Sequence, residues 1–142
     1  MAVLEGWIAA GAPPGTCGAI AGGPAPTTCA SGSTWNDGDL GSAEMQPGLA
    51  CTACHLQRAH NRARFFAGTV FSGYHERDGC NSPPPAGARI DIIDAHGDLA
   101  LTLYPNRAGN FQSTELQPGV DLPYRARVVA GGLARSMRTA QT

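Results

Sequence analysis

Residues 88–112 read ARIDIIDAHGDLALTLYPNRAGNFQ, and this stretch decides the fold. Two apolar runs, IDII and LALTL, flank DAHGD, whose Asp and Gly suit a tight turn between antiparallel strands. NRAGN supplies a second turn, with Asn106, Gly109 and Asn110 as its turn residues. Toward the C-terminus, PYRARVVAGG (123–132) alternates: Tyr124, Ala126 and Val128 share one side, Arg125 and Arg127 the other. Gly131 and Gly132 mark another turn, and LARSMR (133–138) reads as a last strand. Toward the N-terminus, FFAGTVF (65–71) is a strand of aromatic and β-branched residues. Strands joined by short turns imply a mainly β chain with a small antiparallel β-sandwich over residues 65–138. On this reading Asp91 and Asp94 alternate with apolar neighbours and face solvent, rather than joining Asp98 as calcium ligands.

Upstream the composition changes. Residues 51–64, CTACHLQRAHNRAR, suit a short helix, and residues 15–50 are rich in Gly, Pro, Ser and Thr and read as ordered loop. In residues 1–14, Val3, Leu4, Trp7 and Ile8 share a helical face before Gly11 and Pro13-Pro14, as at the end of a preceding helix or domain. Gly (19) and Pro (11) make up about a fifth of the 142 residues, and aromatics only 6%. A modest core with an added staple is expected. A net charge of −1 gives no electrostatic footprint for nucleic acid. No apolar run approaches the ~20 residues of a membrane-spanning helix. The start lacks the basic and long apolar regions of an export signal, which is expected upstream if the protein is exported. No Ser/His/Asp order or paired-Glu spacing suggests a hydrolase, and no enzymatic role is expected.

The chemistry concentrates in Cys51-Thr52-Ala53-Cys54-His55. Three readings fit a C-x-x-C-H string. A structural zinc site needs four ligands, usually from two such knuckles, and only one is present; Cys17, Cys29, His60, His75 and Cys80 would have to complete it at irregular spacing. A redox dithiol needs a βαβ setting that the strand pattern does not offer. Covalent haem attachment needs only the pentapeptide: Cys51 and Cys54 form thioethers, and His55 is the proximal iron ligand. One haem c is the expectation. Cys17, Cys29 and Cys80 are an odd set in Gly/Pro-rich loops, as in an oxidising compartment. Cys29–Cys80 and Cys17–Cys29 are both open as pairings.

MQPGLACTACH (45–55), FFAGTVF, HERDGCN (75–81), IDIIDAHGDLALTLYPNRAGNF (90–111) and PYRARVVAGGLARSM (123–137) together resemble a group of exported, cytochrome-like proteins of deltaproteobacterial or myxobacterial type. The resemblance covers roughly residues 31–138, and LEGWIAAGAP (4–13) looks like the final helix of a cytochrome c domain. It implies a haem loop ahead of a sandwich of the carboxypeptidase-regulatory, transthyretin-like kind. It implies haem more firmly than it implies a role; electron transfer in the periplasm or outside the cell is the expected role, and a single haem in so small a chain argues for other cytochromes or redox proteins as partners, or for self-association or a filament, because one centre alone cannot carry charge far. The alternative class is a non-redox surface or assembly module with a structural disulfide or zinc. One departure stands: such proteins often carry a second C-x-x-C-H after RSM, whereas this chain continues as RTAQT.

The sixth iron position has several candidates. His60 sits among Arg58, Arg62 and Arg64, as a solvated residue would, and His96 lies in the turn DAHGD. Met45 can fold back over a haem across Pro47-Gly48, and His75 lies in a loop that a disulfide at Cys80 would hold. His75 is the expected distal ligand and Met45 the alternative. Trp35 is a candidate for packing on the haem.

Overall fold

The computed structural model describes residues 28–35, 41–73, 76–114 and 119–142. The helix expected at 1–14, Cys17 and His75 lie outside them. Among the described residues are one α-helix, α1 (Cys51–Arg58), and a 3-10 turn at His60–Arg62. Six strands follow: β1 (Ala67–Thr69), β2 (Arg89–Ile93), β3 (Leu99–Leu103), β4 (Asn110–Gln112), β5 (Arg125–Ala130) and β6 (Leu133–Ser136). They form two antiparallel sheets, a pair β1-β4 and a four-stranded sheet ordered β3-β2-β5-β6.

The turns form where their residues suit them. In DAHGD, Asp94 Oδ1 accepts the backbone N–H groups of His96 (2.9 Å) and Asp98 (3.0 Å), which closes the β2–β3 hairpin. In NRAGN, Asn106 Oδ1 accepts from Ala108 and Asn110, and Gly109 adopts φ +84°. A Cβ on Gly109 would collide with the Val70 carbonyl oxygen, so both conformation and space require glycine there.

The core lies where the apolar sides of the two sheets meet. Ile90, Ile92 and Leu103 are buried with Phe66, and Val70, Leu101, Phe111, Tyr124, Ala126 and Val128 pack against them. Burying each of the four central side chains contributes about 1.5–3 kcal/mol. Phe66 stands edge-on to Phe65 and to Tyr124, with ring centroids 4.9 and 4.8 Å apart. The alternation in PYRARVV is realised: Tyr124, Ala126 and Val128 face this core, while Arg125 is exposed.

Two expectations are corrected. FFAGTVF yields only the three-residue β1, because Phe65 and Phe66 occupy a bend that turns Phe66 into the core. Asp91 does not face solvent: it is 1% exposed. The register sets it between Thr102 on β3 and Arg127 on β5. Its carboxylate accepts hydrogen bonds from Arg127 Nη2 (2.9 Å), Arg89 Nε (3.1 Å) and Thr102 Oγ1 (3.3 Å). Period-2 patterning located the side chain on the polar face but could not show that two arginine stems would seal that face over it. Burial alone would raise the Asp91 pKa; the hydrogen bonds from Arg127 and Arg89 outweigh it and hold the carboxyl below its usual range.

Candidate functional site

The C-x-x-C-H residues all lie on α1. This helix starts at Ala50 without a side-chain cap and buries none of its residues. Its order therefore comes from the segment that follows. Ala59 N–H donates to the His55 carbonyl oxygen at 2.8 Å, and Arg62 N–H to that of Ala59 at 2.7 Å. Thr52 Oγ1 donates to the Arg64 carbonyl oxygen at 2.8 Å. His55 Nδ1 lies 3.0 Å from the Arg62 carbonyl oxygen. A carbonyl oxygen can only accept, so Nδ1 is the donor, and in the neutral ring the lone pair then lies on Nε2. That tautomer is the one a metal-ligating Nε2 requires, and a second hydrogen bond of this kind also fixes the ring's orientation.

Cys51 and Cys54 are half-buried free thiols. Cys51 Sγ donates to the Leu49 carbonyl oxygen at 3.3 Å. Burial pushes the Cys51 thiol up; a backbone hydrogen bond opposes this in part, and the neighbouring Cys54 sulfur adds to it. Leu49 just before the helix, Leu56 within it and Phe65 beyond it are exposed apolar side chains.

The loop leading into α1 is moored to the β-structure. Asn110 Nδ2 donates to the Met45 carbonyl oxygen (2.9 Å), Gly79 N–H to that of Pro47 (2.7 Å), and Gly48 N–H to Thr69 Oγ1 (2.8 Å). Gly48 has φ +86°, and a Cβ there would meet Asp78 Oδ1 at 2.6 Å. Gly79 in turn belongs to a stapled loop. Cys29 and Cys80 form a disulfide, which selects one of the two pairings left open by the sequence. Around it, Trp35 N–H donates to the Gly79 carbonyl oxygen (2.7 Å), Asn81 N–H to Ser33 (3.0 Å), and Ala30 N–H to Glu76 Oε1 (2.9 Å).

The candidates thus separate. Cys51, Cys54 and His55 share one helix. Met45 is half-buried in the entry loop, held by its carbonyl. Trp35 is half-buried beside the disulfide, one hydrogen bond from Gly79. His96 Nε2 pairs with Asp121 Oδ2 at 3.4 Å in the β2–β3 turn, so its ring already has a partner. His60 begins the 3-10 turn. Among the described residues, one group of three possible metal ligands comes within 4.8 Å, namely Cys29, Glu76 and Cys80. Its two sulfurs are bonded to each other, so neither is available to complete a zinc site with Cys51 and Cys54. The part that sequence reasoning missed is the clamp from residues 59–64. Its acceptors are main-chain carbonyls, which leave no mark in residue type.

No protein-family model, curated protein or solved structure matches the chain. Among the described residues no helix is long and apolar enough to cross a membrane.

Proposed function

We propose that this chain carries one covalent c-type haem and serves electron transfer in an exported setting, periplasmic or extracellular, without an enzymatic activity of its own. The observation that carries this reading is the hydrogen bond from His55 Nδ1 to the Arg62 carbonyl oxygen, which leaves Nε2 free for iron on the helix that also presents two free thiols. The donor set fits the group: two thiols at i and i+3 for thioether bonds and an imidazole whose Nδ1 is engaged by a carbonyl oxygen, which orients Nε2 for iron. When bound, the haem supplies a one-electron iron couple. Cys51 and Cys54 would fix it, and His55 Nε2 would ligate the iron, its basicity raised by the Arg62 carbonyl. Leu49, Leu56 and Phe65 would cover part of its apolar surface. His75 is the proposed distal ligand and Met45 the alternative, with Trp35 as packing. The sandwich is proposed to be of the carboxypeptidase-regulatory type, and the partners to be other redox proteins. The Cys29–Cys80 disulfide supports an oxidising location.

The test is production with a cytochrome c maturation system. Protein so made should gain the mass of one haem that survives denaturation, and replacing both Cys51 and Cys54 by Ser should remove it. A colourless product with bare thiols would overturn the reading. The second reading is a non-redox surface module stapled by Cys29–Cys80. The lack of any buried residue on α1 favours it, and haem staining in a denaturing gel separates the two.

A further inference from the structure

The four-stranded sheet has a second face, turned away from Phe66 and the core, and arginines collect on it. Side chains alternate along a strand, and directly paired residues on neighbouring strands point the same way. Ile90 and Ile92 enter the core, so Arg89, Asp91 and Ile93 of β2 point to the second face. On β5, Arg127 pairs with Asp91 and Arg125 with Ile93, and both share it. β6 adds Arg138. Ser136 pairs with Arg127, Met137 N–H donates to the Ala126 carbonyl oxygen, and Arg125 Nη1 donates to the Arg138 carbonyl oxygen at 2.7 Å. On β3, Leu99 stands beside Ile93, and Tyr104 follows the core residue Leu103 onto the second face.

Arg89, Arg125, Arg127 and Arg138 thus share the face with one carboxylate. Asp91 is buried beneath Arg89 and Arg127, whose side chains stay 43% and 39% exposed. A partner arriving from solvent therefore meets guanidinium groups and no carboxylate from the paired strands. Among the described residues Arg125 and Arg138 have no ion-pair partner. Asp94 and Asp98 lie in the β2–β3 turn, beyond the end of the face. At its β3 margin Tyr104 is 72% and Leu99 57% exposed.

From this the geometry points to a docking face for a short acidic segment of a partner protein. Guanidinium forks match carboxylates, and the face already holds one carboxylate in this way, Asp91 between Arg127 and Arg89. Arginine and tyrosine are also residue types that protein interfaces concentrate. A long polyanion fits less well, because beyond the face it would run along a chain with eleven acidic residues against ten arginines. Strands lie about 4.8 Å apart and outward side chains about 6.8 Å apart along each, so the face covers on the order of 400 Å². That is about half of what a stable interface buries per partner, so docking is weak, transient and sensitive to salt. Nothing in the contact uses α1, so it holds or fails separately from haem attachment.

Fluorescence anisotropy with the full chain at low salt tests it, using a labelled Glu-rich peptide with scattered Leu. The peptide should bind, and the same peptide with Gln in place of Glu should not. The double variant Arg125→Glu, Arg138→Glu should weaken binding on the order of tenfold. Arg135→Glu makes the same kind of charge change on the opposite face of β6, since Arg135 pairs with the core-facing Val128, and should leave binding nearly unchanged. Arg125, Arg135 and Arg138 are all exposed, and circular dichroism should report an unchanged fold in both variants. No binding of the Glu peptide, or equal weakening by Arg135→Glu, would overturn the proposal. Tighter binding of dextran sulfate than of the peptide would assign the face to a polysaccharide and overturn it too. So would self-association in sedimentation velocity that the double variant abolishes, since a second copy would then be the occupant.

Discussion

The Gly79 amide donates to the Pro47 carbonyl oxygen at 2.7 Å, and this one bond joins the disulfide loop to the segment that enters the C-x-x-C-H helix. Gly79 precedes Cys80, and Pro47 stands four residues before Cys51. The cross-link and the candidate haem site are thus two hydrogen-bonded neighbours.

Removing the disulfide should be costly. Cys29 and Cys80 are 51 residues apart, and closing a loop of that length in the unfolded chain is worth about 4 kcal/mol on the chain-entropy account. The double Cys29→Ser, Cys80→Ser variant should lose stability of that order in urea denaturation. Hydrogen exchange at Trp35 and Gly79 should accelerate first, because their amides belong to the stapled loop.

Asp91 should govern the acid limb of the stability curve. Its folded pKa is held below the unfolded value of about 3.9, so its contribution is present above that pH and is lost as pH falls through the folded pKa. Asp91→Asn should flatten the loss of stability below about pH 4. At pH 7, Asp91→Ala should cost about 2 kcal/mol, because it removes the buried acceptor of the Arg127, Arg89 and Thr102 hydrogen bonds while the arginines left behind stay partly hydrated. Urea denaturation across pH 2–7 checks both.

Thr52→Val keeps the shape of the side chain but removes its bond to the Arg64 carbonyl oxygen. A loss of about 1 kcal/mol is expected, with a lower urea midpoint and an unchanged slope. A change of slope would mean that residues 51–64 unfold independently of the sheets.

For haem-loaded protein, His75→Ala should give a high-spin spectrum that responds to carbon monoxide, while Met45→Ala should leave a low-spin spectrum nearly unchanged. The opposite result would assign the sixth position to Met45 and raise the reduction potential expected of the site, since thioether ligation does so relative to a second imidazole.

How much of this was legible beforehand depended on where the information is stored. The hairpin around DAHGD, the turn at Asn106–Asn110 and the in/out order of Tyr124 to Val128 were readable because turn chemistry and period-2 burial are written in residue type. The burial of Asp91 was not, because it depends on which residues the register brings alongside, Arg127 and Thr102. FFAGTVF was read as a longer strand than it forms because aromatic residues favour strands and bends into a core alike. At the site, the cysteines and His55 were legible as a motif. The carbonyls of Arg62 and Arg64 that orient them were not, since every residue carries a carbonyl.

The bonds that arrange His55 are close in sequence: seven residues separate His55 from Arg62, and twelve separate Thr52 from Arg64. The sheets need partners as remote as Asp91 and Arg127, and the staple reaches from residue 29 to residue 80. Short loops close far faster than long ones, and remote strand pairing is the slow step of β-rich folding. On the haem reading proposed above, the imidazole and both sulfurs can therefore be presented to an attaching enzyme while the strands are still unpaired. A peptide spanning residues 45–66 should accordingly serve as a substrate for such an enzyme, and the order of events in the cell would be cofactor first, sheet second.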